Sequence, residues 1–308
     1  VKKMKHFGKW LGIGILVILV AIVALNYWHP GTRTVKTTQP VTTNRRSTVR
    51  LVALGDSLTE GVGDQQKKGG YTGRIATKIR QTDHVKVVLH NYGLAGDRSD
   101  QIEKRLVASE KMQHQVTKAQ AITLTVGGND LLQTLTKNVT INQQSQLNQQ
   151  LTQAQKAYAK KLTSLLGTIR RYNPQAPIYL FTIYNPIYVY FANLTQITNA
   201  VDNWNTTTQR TVRSQRHLYV VDINRDLSVG QFRSVTQQAR LKRAAQKSND
   251  GELSVASFQK QILASDNSTE LNHYLSPADH FHPNAKGYRL MTQKLFAKMQ
   301  THQQWLRK

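Results

Sequence analysis

A serine follows an apolar run and a glycine in Leu51-Val52-Ala53-Leu54-Gly55-Asp56-Ser57-Leu58, and far along the chain stands Asp279-His280-Phe281-His282-Pro283. A serine hydroxyl is a weak nucleophile until a base takes its proton. A histidine can be that base, and an aspartate three residues before it can reach Nδ1–H, fix the tautomer and stabilise the imidazolium. Two more polar blocks also follow apolar runs: Asn91-Tyr92-Gly93-Leu94-Ala95-Gly96-Asp97 and Val126-Gly127-Gly128-Asn129-Asp130. Glycines let backbone approach a ligand closely, and Asn129 offers amide N–H donors. Taken singly, each block also reads as an ordinary turn or helix cap. His280, His282 and Asp279 could instead hold a metal, but such a site calls for a further ligand nearby.

The elements that must position these residues are legible as alternating patterns. Val49–Leu54, Val85–His90, Ala121–Val126, Ile178–Ile183 and Leu218–Ile223 are apolar, β-rich runs that predict strands. Tyr71–Gln81, Ser99–Ser109, Leu147–Arg171, Asn199–Gln215 and Asn284–Gln300 carry helical spacing. The stripe Leu151, Ala154, Tyr158, Leu162, Leu165 and Leu166 within the third of these reads as core. Strand–helix alternation predicts a parallel sheet of about five strands with helices on both faces. Two polar segments resist this reading, Thr134–Gln146 and Gly230–Leu275; the stretch 230–275 is long enough for a lid or a solvated insertion.

In their joint order the four polar blocks resemble the SGNH hydrolases, also called the GDSL esterase/lipase family, and most of all its bacterial membrane-anchored or secreted lipase/acylhydrolases. The blocks are Gly55-Asp56-Ser57-Leu58, Gly93 in Asn-x-Gly, Gly127-x-Asn129-Asp130 and Asp279-x-x-His282, and the resemblance spans about residues 49–302. It implies a three-layer α/β/α sandwich, flavodoxin-like in appearance. It also implies Ser57 as nucleophile and His282 as general base oriented by Asp279. The oxyanion hole would be the Ser57 and Gly93 backbone N–H groups with the Asn129 side chain. No Gly-x-Ser-x-Gly, His-Glu-x-x-His, phosphate loop or Gly-x-Gly-x-x-Gly occurs, so neither a metal nor a cofactor is expected. The expected activity is hydrolysis of carboxylic esters through an acyl-serine. An O-acetyl esterase or acyltransferase working on cell-wall polysaccharide remains an alternative, as does a non-catalytic anchored module binding anionic polymers.

At the N-terminus, residues 1–9 carry Lys2, Lys3, Lys5 and Lys9, and Leu11–Leu25 holds no charge. Trp10 and Tyr27-Trp28 flank that run as interfacial anchors would, which predicts an uncleaved transmembrane anchor over residues 10–28. The lysines place the N-terminus in the cytoplasm and the catalytic part outside, on a single-pass protein of the cell membrane. Residues 29–48 read as a flexible tether and 49–308 as the hydrolase domain. Across 308 residues, 42 Lys+Arg against 17 Asp+Glu give +25, which favours anionic partners such as membrane or wall polymer. The basic residues are spread along the chain, so nucleic acid is not expected as a partner, and a monomer is. No cysteine is present, which excludes disulfides and thiolate metal sites.

Overall fold

The computed structural model describes residues 44–137, 144–213, 215–249 and 270–308. The segment 10–28, expected to span a membrane, lies outside them, and so does most of the expected tether. Among the described residues no helix is long and apolar enough to cross a membrane. The domain begins before residue 49. Arg45 forms an isolated antiparallel bridge with Arg307 and an ion pair with Asp83, and Arg46 N–H donates to Leu306 O at 2.8 Å.

Each apolar run becomes a strand where a glycine or polar residue ends it. β1 (Thr48–Gly55) leads into the short α1 (Ser57–Glu60) and then α2 (Gly70–Asp83). β2 (Lys86–Gly93) is followed by α3 (Ser99–Ala108) and α4 (Glu110–Thr117), and β3 (Ala121–Thr125) by α5 (Gly128–Lys137) and α6 (Gln144–Tyr172). β4 (Ile178–Phe181) precedes α7 (Thr195–Arg213), and β5 (Leu218–Val221) precedes α8 (Asn224–Val229) and α9 (Val235–Asn249). α10 (Ala285–Thr301) and a single 3₁₀ turn, Gln303–Leu306, end the chain. The five strands pair in parallel in the order β2-β1-β3-β4-β5.

Alternation along the strands sorts side chains onto two faces. Val52 and Leu54 of β1, Ile122 and Leu124 of β3 and Ile178 and Leu180 of β4 pack with α3, α4, α6 and α7. Val49, Leu51, Tyr179 and Phe181 face the other way, against Tyr71, Ile75 and Ile79 of α2 and Tyr288, Met291, Leu295 and Met299 of α10. This is the three-layer sandwich with a parallel sheet that the alternation predicts. The strand order reverses between β1 and β3, and at such a switch point the carboxyl ends of neighbouring strands leave a crevice. Both Ser57 and Asn129 follow strands that border it.

Several helices depart from expectation, and α5 and α8 form where none was read. The stretch read as one helix over Ser99–Ser109 continues after a break. Ser109 takes an extended backbone and its hydroxyl accepts from Met112 N–H at 3.3 Å, so α4 starts afresh. Within the expected lid, Val235–Asn249 is helical, and Leu241 packs beside a third apolar cluster, Val189, Tyr190, Phe191 and Leu194.

Candidate active site

β1 delivers Ser57 through a turn that only glycine fits. At Gly55 φ is +151°, and a Cβ there would lie 2.3 Å from Thr125 Oγ1 and 2.7 Å from Thr125 O. Asp56 caps α1 by accepting from Leu58 N–H at 3.0 Å, and its Oδ1 accepts from Thr125 Oγ1 at 2.6 Å. Burial pushes the Asp56 carboxyl above its usual range, against the lowering effect of those hydrogen bonds. Thr59 Oγ1 extends the network, 2.8 Å from Thr125 Oγ1 and 2.9 Å from Tyr71 OH, and Tyr71 OH donates to Thr123 Oγ1 at 3.1 Å. Three elements, α1, α2 and β3, thus hold the turn from below through buried hydroxyls.

The base arrives from the loop before α10. His282 Nε2 lies 2.8 Å from Ser57 Oγ, and His282 Nδ1 lies 2.7 Å from Asp279 Oδ2. With Nδ1–H donated to the carboxylate, Nε2 is left as the acceptor facing the serine. Asp279 Oδ1 accepts from both Phe281 and His282 N–H at 3.0 Å. Burial would raise the Asp279 carboxyl, but the His282 side-chain and backbone hydrogen bonds outweigh it and hold the group below its usual range. The carboxylate therefore stays charged opposite the imidazole. Tyr184, at the end of β4, donates its hydroxyl to Phe281 O at 2.7 Å and fixes this loop from the side.

His280 is turned elsewhere. It is buried, and its Nδ1 pairs with Glu270 Oε2, with Tyr190 OH 3.4 Å away. His282 has both ring nitrogens engaged by Asp279 and Ser57, so the three residues do not converge as metal ligands. Among the described residues no cluster of three or more His, Cys, Asp or Glu could hold a metal.

Of the expected oxyanion donors, Ser57 and Asn129 border one cleft. Asn129 Nδ2 spends one hydrogen on Asp97 O at 2.8 Å, and the amide keeps a second. Gly93 corrects the expectation. Its N–H donates to Asn91 Oδ1 at 2.9 Å, and a Cβ there would lie 2.1 Å from Glu60 N. It is a packing glycine that lets β2 lie against α1. The sequence reading missed Gly96, three positions on. A Cβ at Gly96 would meet nothing within 4 Å, and among the described residues its N–H has no acceptor. Gly96 also precedes Asp97, the residue that receives Asn129. The signal was the second glycine of Gly93-Leu94-Ala95-Gly96, the one nearer the next helix.

Arg105 was missed as well. Its guanidinium pairs with Asp97 at 2.5 Å and donates to Gly55 O at 3.2 Å and Tyr92 O at 3.1 Å, joining the ends of β1 and β2 to this loop. On its other side the loop is reached by Asn129. Asp130 accepts from Ser99 N–H at 3.0 Å and Ser99 Oγ at 2.7 Å, and burial raises its carboxyl.

The cleft beside Ser57 is walled by Leu58, Val126, Phe181, Ile183, Tyr184 and Phe281. Its volume is small, about 40 Å³. The slot is narrow and mostly apolar.

Residues 53–290 match the GDSL-like lipase/acylhydrolase family. The chain belongs to that family of ester-hydrolysing enzymes. Its relatives include the uncharacterized protein YpmR of Bacillus subtilis, 29% identical over 256 residues and covering 82% of both chains. The spore germination lipase LipC of Bacillus licheniformis is 39% identical over 88 residues, 29% of this chain and 41% of that one. Among solved structures, the lipase Lip_vut3 from a goat rumen metagenome superposes with a TM-score of 0.58 at 22% identity, covering 81% of this chain and 97% of that one. A mutant of Axe2, an acetyl-xylooligosaccharide esterase from Geobacillus, gives a TM-score of 0.50 at 14% identity, with 84% and 97% covered. At these identities the two structures share the fold.

Proposed function

We propose that Ser57, His282 and Asp279 hydrolyse carboxylic esters through an acyl-serine. The observation that carries this reading is the unbroken line Asp279 Oδ2–His282 Nδ1 and His282 Nε2–Ser57 Oγ, at 2.7 and 2.8 Å. Ser57 Oγ attacks the carbonyl carbon as its proton passes to His282 Nε2. The tetrahedral oxyanion is met by the Ser57 N–H, the remaining Asn129 amide hydrogen and the Gly96 N–H, which takes the role expected of Gly93. Collapse expels the alkoxide, which takes the proton from His282. Water then repeats the sequence on the acyl-enzyme and regenerates Ser57.

The narrow apolar slot favours a short acyl group, with the alcohol part left at the open mouth. That supports the second reading, removal of O-acetyl groups from a cell-wall polysaccharide, over a long-chain lipase. The uncharged Leu11–Leu25 run behind a lysine cluster supports holding this chemistry at the outer face of a membrane. The deciding experiment is hydrolysis of p-nitrophenyl esters of graded acyl length by wild type and Ser57→Ala. Acetyl and propionyl esters should turn over fastest, and Ser57→Ala should lose roughly 10⁴-fold or more in kcat and all labelling by a fluorophosphonate. Full activity in the variant would remove the acyl-serine, and a preference for long acyl chains would remove the short-acyl reading. Membrane attachment is tested by carbonate extraction of cells expressing the full chain: release into the soluble fraction would reject it.

A further inference from the structure

A second concave site lies away from Ser57, between the N-terminal halves of α6 and α7. It is a groove of about 350 Å³ whose polar lining is Asn148, Thr152, Gln155, Gln196, Asn199 and Asn203, and no charged side chain borders it. In a chain carrying 42 Lys+Arg and a net charge of +25, a neutral groove made of five amides and a hydroxyl is unlike the rest of the surface. Asn148, Thr152, Gln196, Asn199 and Asn203 are exposed, Gln155 is half-buried, and the buried Trp204 forms the floor.

That floor is fixed. The Trp204 indole stacks on Tyr158 at 5.1 Å and 20°, and Tyr158 OH lies 2.9 Å from Thr208 Oγ1. Gln155 Nε2 donates to Asn203 O at 2.9 Å and to Thr207 Oγ1 at 2.6 Å, so both amide hydrogens are spent and Oε1 remains as an acceptor. Trp204 Nε1 is sealed from water without an acceptor, an unmet donor under the groove.

We infer that this groove binds a neutral polyhydroxylated chain, an oligosaccharide. Sugar hydroxyls are uncharged and act as donor and acceptor at once, and amide side chains match them because each also offers both functions. Phosphate or carboxylate ligands would call for cations, which the lining lacks. A plain hydrocarbon would cover the exposed amide groups of the lining without offering them a hydrogen bond, at a cost of about 1–3 kcal/mol for each group left unmet.

The groove stands at the same end of the fold as the cleft. Its floor marks that end: Trp204 stacks on Tyr158, whose hydroxyl would lie 2.6 Å from a Cβ at Gly127, just past the carboxyl end of β3. The two sites also touch through one residue. Asn205, next to Trp204, brackets Ile183 in the cleft wall, accepting from its N–H and donating to its O, both at 2.9 Å. A glycan seated on α6 and α7 would leave its acyl substituents near the slot. The inference concerns binding and does not require Ser57 to turn over.

The test is titration of the full chain with unacylated xylohexaose, N-acetylchitohexaose and maltohexaose, followed by calorimetry and tryptophan fluorescence. At least one of the three should bind, and the fluorescence change should disappear in Trp204→Phe. The double substitution Gln196→Ala with Asn199→Ala should weaken binding by roughly tenfold or more, with circular dichroism unchanged. The inference is overturned if none of the sugars binds or if the double variant binds like wild type. It is also overturned if the bound sugar competes with p-nitrophenyl acetate, since that would place it in the cleft. None of these outcomes depends on the Ser57→Ala result, so the two readings fail separately.

Discussion

Ser57 and His282 meet at 2.8 Å, yet they are held by different kinds of structure. The serine side stands on the sheet: β1 ends in a glycine that nothing larger could replace, and buried hydroxyls from β3, α1 and α2 bond beneath it. The histidine side hangs on a loop. Among the described residues Asp279 bonds to Phe281 and His282, its side chain is 34% exposed, and the loop is held by the Tyr184 hydroxyl on Phe281 O, Ser276 N–H on His282 O and the Leu275–Pro283 bridge. A nucleophile must present one atom at a fixed angle, whereas the base has to exchange its proton between three oxygens in turn. Rigidity is concentrated where geometry is most demanding, and the proton carrier is left with the more local support.

The largest effect is expected on the serine side. Asn129→Ala removes an oxyanion donor and the contact to Asp97 without touching His282, and should cost roughly 10²–10³-fold in kcat with KM little changed. A loss confined to KM would remove Asn129 from the oxyanion site.

The joint between the two sides comes next. Gly63 has φ +84°, and a Cβ there would lie 2.8 Å from Pro283 O and 3.0 Å from His282 Cβ. Gly63→Ala should therefore push the base away from Ser57 and lower kcat by roughly 10–10²-fold while fluorophosphonate still finds a folded protein. Wild-type rates in this variant would show that the histidine loop yields freely.

On the histidine side, Tyr184→Phe deletes one hydrogen bond worth about 1 kcal/mol. A roughly fivefold fall in kcat, with an altered acid limb of the pH–rate profile and an unchanged melting temperature, would mark Tyr184 as a positioning residue. A lower melting temperature with an unchanged profile would assign it a structural role alone.

The smallest effect concerns the loop that carries Gly63. Asp64 is buried and pairs with Arg74, and its carboxylate also accepts from Lys68 N–H at 2.9 Å and Gly70 N–H at 3.0 Å. Burial opposes ionisation, but the Arg74 and backbone hydrogen bonds prevail and hold the carboxyl below its usual range. The folded state therefore gives up this proton more readily than the unfolded chain does. The resulting stability is fully present above the ordinary aspartate value and is lost as pH falls through the lower, folded one. In Asp64→Asn the gap between urea midpoints at pH 6 and pH 2.5 should narrow. An unchanged gap would show that other carboxylates carry the acid sensitivity.

The same division governs what could be read from the sequence. The strands were legible because Leu51–Leu54 or Ile178–Leu180 are buried on both faces and so are continuous apolar runs. Ser57, Asn129, Asp279 and His282 were legible because each directly follows such a run or keeps a fixed local spacing. Gly93 was read in place of Gly96 because the two stand three residues apart where β2 ends, and only the contact with Glu60 N and the bond to Asn91 Oδ1 separate packing from an open N–H. The α9 helix escaped because it is polar nearly all round, with Leu241 and Ala245 as its inward anchors. Thr125, Arg105 and Tyr184 are joined to the site by bonds spanning 50 to 97 positions, and no local pattern announces such partners.

Ser57 and His282 are 225 residues apart along the chain. At about 5–20 residues per second, synthesis leaves an interval of roughly 10–45 s in which the serine exists and its base does not. Throughout that time the nascent chain carries only an ordinary alcohol. The base comes into place with α10, which docks on α2, and the closing turn buries Trp305 and Leu306 beside the first residues of the domain. The serine and its base therefore come together only once α10 has docked on α2.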